Sequence, residues 1–149
     1  MSQQSFRRLG VSAPVVDALA ERGITHPFEI QERALPDALR GLDVLVRSPT
    51  GSGKTLAFGL PIVERTEPGD GRPSALVLVP TRELAAQVTE ELESPARARG
   101  LSVAAAYGGV PLRSQAARHK LKHLALTVIA ENAKGRRTTI HVRVTHLGL

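Results

Sequence analysis

A glycine-rich segment of the chain, Ser48-Pro-Thr-Gly-Ser-Gly-Lys-Thr55, has the residue types and the spacing of a phosphate-binding loop. It follows a short apolar run and precedes a helical pattern, which is the context that such a loop needs. Small residues let backbone N–H groups turn toward phosphate oxygens, and the N-terminus of a helix adds favourable partial charge. We expect Lys54 to reach the β- and γ-phosphates of a nucleoside triphosphate and Thr55 to place its hydroxyl on Mg²⁺. The other predicted nucleotide contacts in this phosphate loop are Thr50, Gly51, Ser52 and Gly53.

The phosphate loop alone indicates only a nucleoside triphosphate, because small-molecule kinases, GTPases and motor ATPases share the motif. Ser48 stands where the general pattern has Gly or Ala, which is a change to another small residue. A flexible Gly/Ser turn before a helix is the alternative interpretation. The flanking segments must therefore decide the class of protein.

The elements that position the loop follow from the spacing of apolar residues. This spacing predicts a helix over 15–22, with Ser12 as its N-cap and Gly23 as the residue that ends it. It predicts a second helix over 30–40, which bends or breaks at Pro36 and ends at Gly41. Further helices are predicted over 54–65, 82–93 (capped by Thr81) and 111–123. Strands are predicted over 42–46, 75–79, 101–107 and 124–130, and strict alternation predicts a half-exposed strand over 138–147. Alternating strands and helices indicate an α/β fold with a mainly parallel sheet and flanking helices.

The composition excludes several classes of protein. The 149 residues contain no Cys, so disulfides and Cys-ligated zinc are ruled out, and the low aromatic content predicts an aliphatic core. No apolar run reaches the roughly 18 residues of a membrane span, and the polar start lacks the apolar core of a secretion signal. We therefore expect a cytoplasmic protein with no membrane partner. The net charge of +6 is uneven, because residues 91–149 carry 10 basic and 3 acidic side chains; nucleic-acid contact, a solvated face or a segment not shaped by folding could each explain this.

Three further motifs flank the phosphate loop. Gly23-Ile-Thr-His-Pro-Phe-Glu-Ile-Gln31 begins 17 positions after Phe6, Pro80-Thr-Arg-Glu-Leu-Ala85 follows the second predicted strand, and Gly108-Gly109 follows the third. With these motifs the chain resembles the first RecA-like domain of DEAD-box RNA helicases, whose Q motif, motif I and motif Ia are similar to the segments at 23–31, 48–55 and 80–85. The resemblance implies an incomplete RecA-like P-loop NTPase domain over 1–130, with the Q motif region at 6–31, and a divergent basic tail over 131–149.

The Q motif predicts selection of the base. A Gln amide offers a donor and an acceptor side by side, which match N7 and the N6 amino group of adenine and reject guanine, whose O6 and N7 both accept. We therefore expect Gln31 to select ATP, although an exposed polar residue at a helix start is the simpler interpretation of Gln31 alone. By similarity, Phe6 packs near the base and Pro27 shapes the turn that presents Gln31. Phe28 is expected to belong to the core and not to serve as a stacking ring.

RNA contacts are implied by the resemblance, since in the family motif Ia and the glycine pair hold the sugar-phosphate backbone. This assigns RNA binding to Pro80, Thr81, Arg82, Gly108 and Gly109. An arginine at a helix start suits a phosphate, and glycines let a phosphate approach the main chain closely. Such contacts position RNA without reading its sequence. Taken alone, Arg82 would be a surface ion pair and the glycine pair an ordinary turn.

The resemblance ends after Ala130. Where the family continues Thr-Pro-Gly-Arg, this chain has Glu131-Asn-Ala-Lys134, and no Asp-Glu-Ala-Asp sequence follows. In the family that motif helps to hold Mg²⁺ and activates the attacking water, and a second domain supplies arginines for the transition state. We therefore expect ATP hydrolysis and unwinding to be lost in this chain. A reading-frame change or truncation near residue 130 is a hypothesis that the other two frames of the coding DNA would test.

These inferences predict the N-terminal fragment of an ATP-dependent RNA helicase of the DEAD-box family, with ATP and Mg²⁺ as cofactors, RNA as partner and no predicted oligomeric state. Two alternatives stay open: a non-catalytic nucleotide- or RNA-binding module that uses the basic C-terminal half, and another phosphate-loop enzyme such as a small kinase. A metal site at His119 and His123 is not favoured, because a third ligand is not evident.

Overall fold

A computed structural model describes residues 4–69, 74–106, 124–131 and 137–144. The chain divides into two compact units. One consists of Met1–Pro68 and Ala86–Val103, and the other of Gly69–Ala85 and Ala104–Leu149.

The first unit is built from helices. They are α1 (Ala13–Glu21), α2 (Glu29–Leu39), α3 (Lys54–Arg65) and the larger part of α4 (Arg82–Ala98). The predicted bounds of α3 are confirmed, and those of α1 and α2 hold to within two residues. Helix α2 continues through Pro36, so of the two outcomes expected there the break does not occur. The predicted end of α4 near residue 93 is wrong, because the helix extends to Ala98.

Buried aliphatic side chains hold these helices together. Val15 and Leu19 of α1, Leu35 of α2 and Leu60 of α3 are all buried, which confirms the aliphatic core that the composition predicts. Helices α3 and α4 pack closely at Gly59 of α3 and Leu92 of α4. A Cβ on Gly59 would lie only 2.2 Å from Cδ2 of Leu92, so this contact requires glycine. Burial of such side chains contributes about 1.5–3 kcal/mol each.

Helix α1 ends as the sequence predicts. The N–H of Gly23 donates to the carbonyl of Ala20 (2.9 Å), and the N–H of Ile24 donates to the carbonyl of Leu19 (3.0 Å). This pair of bonds satisfies the last carbonyls of the helix and needs a positive φ, which Gly23 supplies at 76°. The same arrangement closes α2 at Gly41.

Ser12 precedes α1 as expected, but its side chain does not cap the helix. Its Oγ and its backbone N–H both donate to Oε1 of Glu64, each over 2.8 Å. The carbonyl of Glu64 also accepts a hydrogen bond from Nη2 of Arg99 (3.2 Å). These contacts connect the start of α1 to the end of α3 and to the residue that follows α4.

The predicted sheet is not found in the part of the chain that the structure describes. The segments 42–46, 75–79 and 101–106 form no strands there, and Leu45 is 100% exposed. An apolar run becomes a strand only when another backbone pairs with it, and no such partner is described for these three runs.

The second unit contains the one sheet among the described residues. Strand β1 (Leu124–Glu131) pairs with β2 (Arg137–Val144) in antiparallel register, from Leu124 opposite Val144 to Glu131 opposite Arg137. Strands are therefore found near 124–130 and 138–147, and they pair in antiparallel register. The mainly parallel sheet stays a prediction. The predicted helix at 111–123 and residues 145–149 lie outside the described residues. In the described ranges, no helix is long and apolar enough to cross a membrane.

Candidate functional site

The phosphate loop makes a tight turn before α3. Gly51 and Gly53 have φ values of 79° and 84°, and Oγ of Ser52 donates to the carbonyl of Pro49 (2.8 Å). Only glycine adopts such φ values without strain. Lys54 follows as the first residue of α3, so the structure confirms the order of loop and helix that the motif requires.

Lys54 lies back along the phosphate loop. Its Nζ donates to the carbonyl of Ser48 (2.8 Å) and to the carbonyl of Pro49. The ammonium group is therefore at the loop, where the motif needs it. To reach a phosphate group it must exchange these two carbonyl oxygens for phosphate oxygens, which carry more negative charge and accept stronger hydrogen bonds.

Gln31 lies against the same loop and is 2% exposed. Its Oε1 accepts a hydrogen bond from the backbone N–H of Phe28 (2.8 Å), and its Nε2 donates to the carbonyl of Gly53 (2.9 Å). The amide thus connects the start of α2 with a residue 22 positions away in the sequence. Gln31 is not the exposed polar residue that the simpler interpretation supposed.

Gln31 also caps α2, a role that was not predicted from the sequence. A Gln three residues after the N-cap residue can return its side chain to the backbone N–H of that residue, as in a capping box. Here Phe28 is the N-cap residue and Gln31 the third residue of the helix. The spacing was a usable signal, but Phe28 lacks the side-chain oxygen that makes a capping box recognisable.

A cavity of about 460 Å³ lies between the start of α2 and the phosphate loop. This volume is within the range of small-molecule sites. It is lined by Phe28, Glu29, Ile30 and Arg33 of the α2 region and by Arg47, Ser48, Gly51 and Ser52 of the loop region. Glu29 and Arg33 form an ion pair across one helical turn (2.6 Å), so the lining of two arginines and one carboxylate carries net positive charge.

The two phenylalanines of the Q motif region differ in their exposure. Phe28 is 58% exposed and lines the cavity, so the expectation that it belongs to the core is wrong. Phe6 is 1% exposed and is not among the lining residues. Phe6 lies in a turn in which the N–H groups of Leu9 and Val11 donate to its carbonyl, whereas Phe28 immediately precedes α2 and its ring lies against Gly53.

Thr55 is the second residue of α3 and is half-buried next to Lys54. Its hydroxyl is a hard oxygen ligand of the kind that Mg²⁺ takes, and Mg²⁺ in such sites keeps waters and phosphate oxygens as its other ligands. The residues present therefore fit a nucleotide-bound Mg²⁺. Within the described ranges, no group of three or more His, Cys, Asp or Glu side chains could hold a metal by itself.

The residues that the resemblance assigns to RNA lie partly in the described chain. Oγ1 of Thr81 accepts a hydrogen bond from the N–H of Leu84 (3.1 Å), which confirms Thr81 as the cap of α4. Pro80 and Arg82 are exposed, and Arg82 is the first residue of α4. Gly108 and Gly109 lie outside the described residues.

Residues 28–142 match the family model described as DEAD/DEAH box helicase. The chain belongs to this family. Over 114 residues it is 48% identical to "DEAD-box ATP-dependent RNA helicase 53" of Oryza sativa subsp. japonica, an alignment that covers 72% of the chain and 18% of the rice protein. The chain therefore spans less than a fifth of that relative.

Solved structures of the family are also similar. The RNA helicase Prp28 from Chaetomium thermophilum, bound to ADP, gives a TM-score of 0.66 at 37% identity, over 76% of this chain and 29% of Prp28. Dbp5 of S. cerevisiae, bound to RNA and ADP BeF3, gives 0.59 at 35% identity, over 63% of this chain and 25% of Dbp5. These RecA-like neighbours support the α/β class for a DEAD-box helicase chain.

Proposed function

We propose that this chain binds ATP at the cavity between α2 and the phosphate loop and binds the RNA backbone, as part of a DEAD-box ATP-dependent RNA helicase. One observation carries the nucleotide assignment. The buried Gln31 amide bonds to Gly53 of the phosphate loop over 2.9 Å, so a group suited to reading adenine and a loop suited to phosphates lie at one cavity. Prp28 bound to ADP and Dbp5 bound to RNA and ADP BeF3 support the choice of ligands.

The base contact requires a rearrangement around Gln31. Each of its amide atoms keeps one unused hydrogen-bonding position, a lone pair on Oε1 and an N–H on Nε2. The N6 amino group and N7 of adenine would use this pair. Because Gln31 is 2% exposed, Phe28 or the loop must move before a base edge reaches it.

The phosphates would be held by the loop itself. Lys54 gives up the carbonyls of Ser48 and Pro49 and binds the β- and γ-phosphates, while Thr55 contributes one ligand to Mg²⁺. Bound Mg²⁺ supplies charge neutralisation to the phosphates. Arg33 and Arg47, which line the cavity, add attraction for a polyanion.

RNA would bind through the exposed start of α4. Pro80, Thr81 and Arg82 are proposed to hold the sugar-phosphate backbone, together with Gly108 and Gly109. The basic half of the sequence, with 10 basic and 3 acidic residues over 91–149, would add attraction that is independent of RNA sequence.

Hydrolysis is not expected from these 149 residues by themselves. They contain no Asp-Glu-Ala-Asp sequence, and Glu131 is the one acidic residue after Glu93. A phosphoryl-transfer site needs a residue that positions the attacking water and groups that neutralise the developing charge. We therefore propose that these residues bind nucleotide and RNA and do not by themselves hydrolyse ATP or unwind RNA.

The decisive experiment is equilibrium binding of ATP and GTP to the chain, to Lys54→Ala and to Gln31→Ala. We expect ATP to bind more tightly than GTP, Lys54→Ala to weaken both, and Gln31→Ala to remove the preference. The exposed Gln87 provides a matched control, since Gln87→Ala should leave the preference unchanged. A preference that survives Gln31→Ala contradicts the assignment of Gln31 and favours another phosphate-loop enzyme.

A non-catalytic RNA-binding module is the second candidate, and the basic half of the sequence favours it. This candidate predicts RNA affinity that falls steeply with salt and does not respond to ATP. RNA binding by the chain, measured with and without ATP at two salt concentrations, separates the two functions. An effect of ATP on RNA affinity supports the helicase assignment.

A further inference from the structure

The aromatic ring of Phe28 lies against Gly53 of the phosphate loop. A Cβ placed on Gly53 would lie 2.6 Å from Cδ2 of this ring and 2.5 Å from Nε2 of Gln31, so ring and amide both pack against the same glycine. Phe28 nevertheless keeps 58% of its surface exposed and lines the 460 Å³ cavity. An exposed ring at the edge of a cavity has a free face.

Phe6 cannot offer such a face. It is 1% exposed and does not line the cavity, so a base could stack on it only after part of the core is unpacked. Phe6 also belongs to a closed turn. The N–H groups of Leu9 and Val11 both donate to the carbonyl of Phe6 over 3.1 Å.

We propose that Phe28 supplies the aromatic surface on which the nucleotide base stacks, beside the Gln31 amide that reads the base edge. This inference rests on the proposed nucleotide site and adds a residue that neither the motif comparison nor the family resemblance assigned to it. The Phe28 ring touches Gly53 of the phosphate loop. A nucleotide whose purine stacks on the exposed face of Phe28 would therefore have its phosphates close to that loop. Stacking is tolerant of base identity, so Phe28 contributes affinity and Gln31 contributes selectivity.

The test compares Phe28→Leu, which removes the ring but keeps an apolar side chain, with Phe28→Tyr, which keeps the ring. Phe58→Leu is the matched control, since Phe58 is 38% exposed on α3 and does not line the cavity. Equilibrium binding is measured for ATP, for GTP and for inorganic tripolyphosphate, which has no base. Because Phe28 is exposed, its variants should fold, and a thermal melt of each variant checks this.

We expect Phe28→Leu to weaken ATP and GTP binding to the same extent, by about fivefold or more, and to leave tripolyphosphate binding unchanged. Phe28→Tyr and Phe58→Leu should bind like the parent chain. Unchanged ATP affinity in Phe28→Leu overturns the inference, and so does an equal loss for tripolyphosphate, which would place the effect in the phosphate loop. If the parent chain binds ATP no better than Lys54→Ala does, the proposed function itself fails, and this inference fails with it.

Discussion

Replacing Gln31 with alanine should destabilise the first unit even without nucleotide. The substitution removes the bond from the N–H of Phe28 to Oε1 (2.8 Å) and the bond from Nε2 to the carbonyl of Gly53 (2.9 Å). The carbonyl of Gly53 keeps the N–H of Ala57 as a donor (3.3 Å). The N–H of Phe28 has no such replacement and loses its side-chain acceptor.

The magnitude follows from these two bonds. A typical intramolecular hydrogen bond contributes about 0.5–1.5 kcal/mol net, so we expect Gln31→Ala to lower the free energy of unfolding by about 1–3 kcal/mol. With an m-value of roughly 2 kcal/mol/M in urea, the midpoint of unfolding should fall by about 0.5–1.5 M. Urea unfolding followed by far-ultraviolet circular dichroism measures this shift.

Two further variants make the result specific. Gln87→Ala, on the exposed face of α4, should change the free energy of unfolding by less than about 0.5 kcal/mol. Gln31→Glu keeps an acceptor for the N–H of Phe28 but turns a buried carboxylate oxygen toward the carbonyl of Gly53, so it should lower the free energy of unfolding by more than the loss of one hydrogen bond. If Gln31→Ala unfolds at the same urea concentration as Gln87→Ala, the two hydrogen bonds do not hold α2 to the phosphate loop and the reasoning is wrong.

Three other variants test separate parts of the structure. Gly53→Ala should lower the free energy of unfolding by about 1–2 kcal/mol because of its positive φ, and by more because side chains already touch Gly53. Gly51→Ala should show the cost of the positive φ alone, because its Cβ would meet nothing within 4 Å. Equal melting temperatures of the two variants would contradict the contacts at Gly53. Thr81→Ala removes the cap of α4 and should lower the free energy of unfolding by about 1 kcal/mol, while Thr81→Ser should not; loss of stability in both would exclude capping as the cause. Ser12→Ala removes a hydroxyl that donates to the mostly buried carboxylate of Glu64 over 2.8 Å. It should lower the free energy of unfolding, measured in urea, by about 1.5–3 kcal/mol. An unchanged free energy of unfolding would mean that this hydrogen bond is not formed in solution.

The helices and several of their ends could be predicted because the causes are local, although the end of α4 was not. The start of α3 depends on the glycines just before it. The end of α1 depends on Gly23 and on the hydrogen bonds that Gly23 and Ile24 make to Ala20 and Leu19. Thr81 caps α4 through an N–H three residues away. Each of these interactions acts within about one helical turn, so the sequence pattern already contains all of the participants.

The sheet could not be predicted in the same way. Apolar runs at 42–46 and 75–79 have the composition of buried strands, yet a strand exists only when a second backbone supplies its hydrogen bonds. Residues 124–131 and 137–144 find such partners in each other, in antiparallel register. The alternation of strands and helices predicts parallel pairing, but such a pattern does not identify the backbone with which each strand pairs.

The composition of the candidate site was determined by the sequence, since Lys54, Thr55, the loop glycines and Gln31 are recognised from residue type and spacing. The tertiary structure decided their arrangement. It placed the Gln31 amide on the carbonyl of Gly53, buried Phe6, and left Phe28 exposed at the cavity. Burial depends on which distant side chains fill the surrounding space, and two phenylalanines that are alike in sequence therefore took opposite places.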